Sequence, residues 1–507
     1  MSASTPNSPP RRLRDLVHSL PFRSRRHSIS SAAVLNTESV VVGGEGDGYN
    51  NREVKGGPVK RTVRKLMRRA SLSFRPGEKS SFVVTGRRGR SRTLMGDGES
   101  GIVLDDKDEG DSYYAEMAKR VDPVTVLPTE ITAQILSYLD HMSLVQCESV
   151  SRRWREAASN RHVWRQVFRN EHGPWESRPG KNWKQMFQVN HALHASWNRH
   201  DMNIKYLKGH TDAVYCVQFD ENKVITGSRD RTIRVWDIKT GECQRVLKAP
   251  DDDSESHANE FHTASVLCLQ FDDQILVTGS SDHSVIVWSL PSYKPIGRLL
   301  AHRAGVLDVC FDDKHIISCS KDTTICIWDR HTRKLLRQLK GHRGPVNAVA
   351  VRSNQIVSAS GDALVKLWDI ETGECLREFK GHHRGLACVQ FSEDAKTIVS
   401  GGNDQDIKIW DAKTGECLRT LSGHKDLVRT LHLDCLNRRI ISGSYDATVK
   451  VWHLDTGKKL LDITQYHSTW ILAAKADYKR IVSTSQDSRT LVLDFSAKIK
   501  GIEVLEQ

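Results

Sequence analysis

Residues 209–237 read GHTDAVYCVQFDENKVITGSRDRTIRVWD, one full copy of a unit that recurs down the chain. In it a His is followed by a Ser or Thr, then by an Asp four residues later and a Trp six further on: His210, Thr226, Asp230 and Trp236. The Asp recurs as Asp282, Asp322, Asp362, Asp404, Asp446 and Asp487. Trp follows at the same distance as Trp288, Trp328, Trp368, Trp410 and Trp452, whereas the last copy has Leu493. Successive Trp residues lie 52, 40, 40, 42 and 42 positions apart.

A period near 40 that opens on Gly-His and closes on Trp-Asp is the mark of a β-propeller blade, and seven copies in register predict seven blades. Residues 214–219, 223–226 and 232–236 alternate as half-buried strands. The polar set His210, Thr226, Asp230 and Trp236 can hydrogen-bond as a chain from indole to hydroxyl, imidazole and carboxylate, which braces a blade if every member is satisfied. Seven His and seven Asp also suggest metal or acid–base chemistry, but one copy per blade is the pattern of bracing, and no metal or cofactor is expected. Short strands precede each Gly-His, as at 335–339 and 376–379, while the last unit shows only three. The first, 204–207, is therefore expected to complete blade seven and leave no open edge. The long first interval holds an acidic insert, 251–260, read as a solvated loop.

No apolar stretch reaches the about 18 residues of a membrane helix, and no apolar signal segment opens the chain, so no membrane partner is expected. The 11 Cys residues contain no Cys-x-x-Cys pair, which suits thiols in a reducing compartment. Residues 1–120 are rich in Ser, Gly, Pro and Arg, and their 23 Lys/Arg against 14 Asp/Glu supply most of the net charge of +13. This segment is expected to be a disordered basic tail. Its clusters at 23–27, 60–69 and 87–92 read as nuclear-import signals or solubilising charge, placing the chain in nucleus and cytoplasm. Without interleaved aromatics, sequence-specific nucleic-acid binding is not expected. Ser28 and Ser71 each follow Arg-Arg-x, a pattern that basophilic kinases favour.

Between tail and repeats, Leu127 and Pro128 open an apolar series, Ile131, Ile135, Leu136 and Leu139, at helical spacing, with Pro128 suited to a helix start. After a break near Asp140 come Leu144, Cys147, Val150, Trp154 and Trp164. So many large apolar residues in one short piece favour a partner helix over a self-contained bundle. The string LPTEITAQILSYLDHMSLVQCESVSRRWREAASNRHVWRQVF at 127–168 resembles an F-box, and the seven repeats resemble the WD-repeat family. In the F-box family such residues dock on the Skp adaptor of a Skp–cullin–F-box ubiquitin ligase. The resemblance implies Leu127, Pro128, Ile131, Ile135, Leu139, Leu144, Val150 and Trp154 as adaptor or packing contacts. Residues 165–199, with Trp175, Trp183, Phe187 and Trp197, read as helices that join F-box to propeller stiffly.

The expected whole is a mainly β chain: tail 1–120, F-box 121–168, helical linker 169–202 and a seven-bladed WD-repeat propeller 203–507. That order resembles the F-box/WD-repeat substrate receptors, whose propellers bind short, often phosphorylated degrons and whose partners are a Skp-type adaptor and, through it, cullin and RING subunits. The loops entering the first strands and the turns between second and third strands should share one face. They carry Arg229, Arg303, Lys321, Arg343, Arg384, Lys425 and Arg429 against Asp212 and Asp426, while the opposite face holds 220–221, 272–273, 312–313 and 393–394, all acidic. The segments VYCVQF, GSRD, CSKD, HRGPVN, HRGLAC, LVR and YD resemble the β-transducin-repeat-containing branch. This likeness puts Tyr215, Arg229, Ser281, Leu307, Lys321, Asn347, Arg384, Arg429 and Tyr445 at phosphodegron-pocket positions. Blade seven departs, with Trp470 and Leu472 in HSTWILA where that branch carries another basic residue; fungal sulfur-regulatory F-box propellers are the other resemblance.

Two other classes compete with this reading. An enzyme would need a phosphate loop, a Cys/His pair outside the repeats or metal-ligand spacing, and the sequence has none of these; the chain is read as non-catalytic. A WD-repeat scaffold or chromatin-binding protein would use its F-box-like helices only for packing.

Overall fold

The computed structural model describes residues 122–172, 182–249, 260–290 and 292–505. The tail, its basic clusters, Ser28, Ser71, Trp175 and nearly all of the acidic insert lie outside these. The described residues fall into two compact units, one centred on 189–502 and one reaching to 188.

The first unit is a propeller of seven four-stranded antiparallel sheets. In blade one the strands Val214–Phe219, Lys223–Ser228, Ile233–Asp237 and Cys243–Leu247 run in sequence from the axis outward. Blade seven has Ile471–Ala476, Arg480–Ser485 and Thr490–Asp494, and its fourth strand is Asn203–Leu207, paired antiparallel from Asn203 with Asp494 to Leu207 with Thr490. The ring thus closes as expected, with its ends held by backbone hydrogen bonds. The second strands are the most deeply buried, because both of their faces meet a neighbouring blade: Val224, Ile225 and Thr226 are inaccessible to solvent.

The complete bracing network is present in blades one to six. Trp236 Nε1 donates to Thr226 Oγ1 at 2.8 Å, Thr226 Oγ1 lies 2.8 Å from His210 Nε2, and His210 Nδ1 lies 2.7 Å from Asp230 Oδ2. The same carboxylate accepts the N–H groups of Thr211 and Thr232. It thereby holds a tight turn whose next residue, Arg231, has φ of 68°. His283, Thr323, Ala363, Gln405, Ala447 and Ser488 share that left-handed conformation, which side chains other than Gly adopt at a cost. Burial alone would raise the pKa of Asp230, but hydrogen bonds from His210 and Thr232 outweigh it and hold the carboxyl well below its usual range. In blade seven the network is looser. His467 Nδ1 is 3.9 Å from Asp487, against 2.6–3.1 Å in the other six blades, and Leu493 supplies no indole donor.

The second unit is helical. Helices α1 (Pro123–Val126), α2 (Thr129–Leu136), α3 (His141–Glu148), α4 (Arg152–Ala158) and α5 (Arg161–His172) belong to it, as do the first turns of α6 (Trp183–Arg199). Asp122, Asp140 and Ser151 cap α1, α3 and α4 by accepting N–H bonds from Val124, Ser143 and Trp154. Pro128 sits one residue before α2, where its missing N–H costs nothing. Leu136, Leu144, Cys147, Val163, Trp164, Val167, Phe168, Trp183 and Phe187 form the core, with Phe168 edge-on to Trp183 at 5.6 Å. The boundary drawn at 168 falls inside α5, because Val167 and Phe168 continue its buried face. The last turns of α6 belong to the propeller unit, where Trp197 stacks on Phe495 at 3.9 Å and donates to the Tyr478 carbonyl.

Removing one tight network should be costlier than removing the loose one. Asp362→Ala breaks a largely buried, fully bonded pair and should destabilise the propeller by about 3 kcal/mol at pH 7; Asp487→Ala should cost about 1 kcal/mol. Because the folded carboxylate of Asp362 titrates below its unfolded value, its contribution is present above about pH 4 and fades as the pH falls further. Denaturant unfolding of both variants at pH 7 and pH 3 checks the order and the narrowing difference.

Candidate functional site

Two features repeated in every blade build one end of the propeller. The first is a β-bulge in each innermost strand. In blade one Val214 pairs with Ser228 and Cys216 with Gly227, leaving Tyr215 unpaired between them. The same shift isolates Leu267, Leu307, Asn347, Ala387, Arg429 and Leu472. A bulge re-aims the extra residue, and all seven of these line a cavity of about 540 Å³ around the axis.

The second feature is the residue before each structural Asp. Arg229, Ser281, Lys321, Gly361, Asn403, Tyr445 and Gln486 each donate their N–H at 2.8–3.1 Å to a carbonyl just ahead of the innermost strand of the same blade. That bond holds each turn against the loop entering the blade. The turn residues and the bulge residues therefore form two rings at one end.

The nine expected pocket residues distribute cleanly over these rings. Tyr215, Leu307, Asn347 and Arg429 are bulge residues; Arg229, Ser281, Lys321 and Tyr445 are turn residues; Arg384 stands exposed in the loop entering blade five. Arg429, expected in an entering loop, lies in the strand Val428–Asp434. Asn347 is 8 % exposed, and its amide donates to the Leu386 carbonyl at 2.6 Å, so it stitches blade four to blade five. Arg229 is 3.6 Å from Asp212, whereas Lys321, Arg384 and Arg429 make no ion pair with any described residue. Arg429 donates to the Ala387 carbonyl at 3.4 Å, and its charge acts on the Tyr445 hydroxyl. Burial raises the pKa of the Tyr445 and Tyr215 hydroxyls, keeping both protonated as potential donors at neutral pH.

Sequence reasoning missed ionisable groups deeper in the cavity, Asp308 and Lys475 among them. Asp308 accepts the N–H groups of Val309 and Val349, both at 3.0 Å, and burial pushes its carboxyl up to about 6 against the pull of those bonds and of Lys475. Both residues sit inside apolar-looking strands, VLDVCF and ILAAKA, which is the one signal that could have exposed them.

The helical unit carries the other candidate surface. Val126, Ile131, Tyr138, Met142, Val145 and Val150 are all large, apolar and more than 40 % exposed. Of the eight expected contacts, Pro128, Ile131 and Val150 are exposed, and Leu127, Ile135, Leu139 and Trp154 are half-buried. Leu144 is fully buried. It is a packing residue of the unit's own core, because the face of α3 that carries it and Cys147 turns inward. Trp154 Nε1 donates to Asp122 at 2.9 Å, tying α4 to the cap of α1.

The F-box-like family matches residues 124–170, and the WD domain, G-beta repeat family matches 202–237, 255–289, 293–329, 333–369, 373–411 and 415–453. The chain is an F-box/WD-repeat protein. Among its relatives, the probable E3 ubiquitin ligase complex SCF subunit sconB of Arthroderma otae is 31% identical over 164 residues, 25% of this chain and 24% of the relative. The F-box and WD repeat domain-containing 11-A protein of Danio rerio is 35% identical over 169 residues, 27% of this chain and 30% of its own. The matched stretch thus spans about a quarter of the length of the curated relatives. The WD40 propeller domain of Doa1 is similar in structure, with a TM-score of 0.50 at 26% identity, covering 59% of this chain and 97% of that domain. The six family matches stop at 453; the seventh blade of this F-box/WD-repeat protein is the one with the loose network and Leu493.

The core and surface assignments in the F-box separate under mutation. Leu144→Ala should destabilise the helical unit by about 3 kcal/mol, while Ile131→Glu should leave it within about 0.5 kcal/mol. The helical signal on denaturant titration of the two variants checks this.

Proposed function

We propose that this chain is the non-catalytic substrate-recognition subunit of a Skp–cullin–F-box ubiquitin ligase. Its F-box docks on a Skp-type adaptor, which brings cullin and RING subunits, and its propeller mouth holds a phosphorylated degron on the protein to be degraded. The observation that carries this reading is that Arg229, Lys321, Arg384 and Arg429, from blades one, three, five and six, all emerge at the same end of the propeller, with Arg429 lining the axial cavity. A ring of cations around a partly desolvated opening suits a phosphate, which brings about −1.5 to −2 charges and oxygens that guanidinium grips in a fork. Exposed apolar side chains on the F-box, six of them in one small unit, suit a permanent partner. The relatives' names point the same way, since one is called a subunit of such a complex. The chain contributes proximity, holding a substrate lysine near the conjugating enzyme, and no bond-making group of its own.

The tail completes the proposal. Its basic clusters direct import, so the receptor works in both nucleus and cytoplasm. Removing residues 1–100 should shift the protein toward the cytoplasm in fluorescence images and leave binding to adaptor and substrate in extract intact.

Binding of a substrate peptide, with and without phosphate, to wild type and to Arg229→Ala/Arg429→Ala tests the mouth. Each charge-assisted bond contributes about 1.5–3 kcal/mol, so each lost Arg should weaken the phosphopeptide about 10- to 100-fold. Arg429→Lys should recover binding only in part, because an ammonium lacks the planar fork. Equal affinity in all four combinations would contradict the reading and leave a scaffold that binds unmodified partners.

A further inference from the structure

We infer that the axial channel, below the mouth, is a binding site for a carboxylate, held by the ammonium of Lys475 beside the imidazole of His432. The inference does not depend on the phosphate-binding reading above. Lys475 and His432 occupy equivalent positions in the neighbouring blades seven and six, each three residues after the bulge residue of its strand. At that position blades one and two carry Gln218 and Gln270, whose amides stitch each blade to the next. Gln218 Nε2 donates to the Phe271 carbonyl at 3.0 Å and its Oε1 accepts the Phe271 N–H at 2.7 Å, while Gln270 accepts the Phe311 N–H at 3.1 Å. Lys475 breaks that rule in the blade that closes the ring.

Burying a lysine is costly unless a partner takes its charge, and elsewhere in the propeller one does. Lys366 and Lys450 are buried and pair with Glu378 and Asp462 at 2.7 and 2.6 Å. Lys475 makes no ion pair and no hydrogen bond with any described residue. Burial pulls its pKa down, and its charge is felt by Asp308 and Cys310 of blade three and Cys388 of blade five, so the ammonium lies toward the axis. His432 senses the same charge, and its Nδ1 is buried with no hydrogen-bond partner among the described residues. All of these residues line the cavity of about 540 Å³. In a ring of seven, blades three and four stand opposite blade seven, and at the level of Lys475 they carry only Cys310 and Ala350. The free space of the channel therefore lies in front of the ammonium.

The balance of charge selects the ligand. Arg429 and Lys475 bring two positive charges to the cavity and Asp308 one negative, since its carboxyl, pushed up to about 6, is still mostly ionised at neutral pH. Asp308 is fixed away from Lys475 by the N–H groups of Val309 and Val349, one on each oxygen. At the far end Asp220 pairs with Lys223 and Asp477 with Arg480, and the exposed Glu221 and Arg352 cancel. One positive charge is left over, which a single carboxylate neutralises. Against Lys475 a carboxylate makes a charge-assisted bond in a partly dry channel. Burial keeps His432 neutral, with its pKa pulled down to about 3, and in the tautomer protonated at Nδ1 it donates to the second oxygen. The carboxylate belongs to a free small molecule or to an acidic side chain of a bound protein.

The test compares melting of the full-length protein in acetate and in chloride at equal ionic strength, because acetate is the proposed group with almost nothing attached. At about ten times its dissociation constant, acetate should raise the melting temperature of the propeller by about 3 °C over chloride. Lys475→Gln puts the residue of blades one and two in blade seven, so the variant should fold, melt above wild type in chloride and lose the acetate effect. His432→Gln should weaken acetate about threefold and leave its effect measurable. Phosphoserine peptides with and without one acidic residue, titrated in chloride and in saturating acetate, identify the source. A gain of about tenfold from the acidic residue that acetate abolishes assigns the site to a substrate side chain. No such gain, beside the acetate effect on melting, assigns it to a free small molecule. Equal melting of wild type in the two salts, or an acetate effect unchanged in Lys475→Gln, would overturn the inference and leave the phosphate-binding reading untouched.

Discussion

Everything at the candidate mouth depends on a carboxylate that never reaches it. In six of the seven blades the structural Asp accepts backbone N–H groups on both sides of a gap, Thr211 and Thr232 in the case of Asp230, and so fastens the turn to the loop entering the blade; in blade five Asp404 accepts only that of His383. Its tether to His210, the hydroxyl of Thr226 and the indole of Trp236 runs down into the interface between blades. The residue immediately before this Asp is thereby delivered to the rim, with its own N–H bonded to a carbonyl across the turn. Bracing and recognition are adjacent in sequence for that reason. The network sets where the side chain emerges, and the identity of that residue is left free to vary as Arg229, Ser281, Lys321, Gly361, Asn403, Tyr445 and Gln486.

The bulges add a second freedom. An innermost strand in strict alternation would send every other residue toward a neighbouring blade, where only apolar side chains fit. One unpaired residue per strand breaks the alternation near the mouth and lets a polar or charged residue such as Arg429 or Asn347 stand there without disturbing the core. Seven blades that are nearly identical in their cores thus present fourteen independent positions in two rings. Specificity can be written there at little cost to stability.

Much of this was legible because the network demands particular residues at fixed offsets. Asp, Trp and Gly-His in register announced the blades, and the missing fourth strand of the last unit announced how the ring closes. The bulges were not legible, since a one-residue shift in pairing depends on backbone hydrogen bonds and leaves no side-chain signature. From the sequence alone Arg429 therefore reads as a loop residue. The F-box shows a different limit: an apolar series at helical spacing does not say which of its members turns inward. Leu144 and Ile131 look alike in the sequence, and only the inward turn of one face of α3 makes Leu144 core while Ile131 stays on the surface. Asp308 and Lys475 were hidden among the apolar residues of their strands.

The account's central claim is that one chain joins a ligase adaptor to a substrate. The most direct measurement is the set of proteins recovered with the full-length chain from its own cells, quantified by mass spectrometry. The account predicts a Skp-type adaptor and a cullin in near-equal amount to the chain, together with substrates that are lost after phosphatase treatment. Recovery of propeller partners with no adaptor or cullin would contradict it.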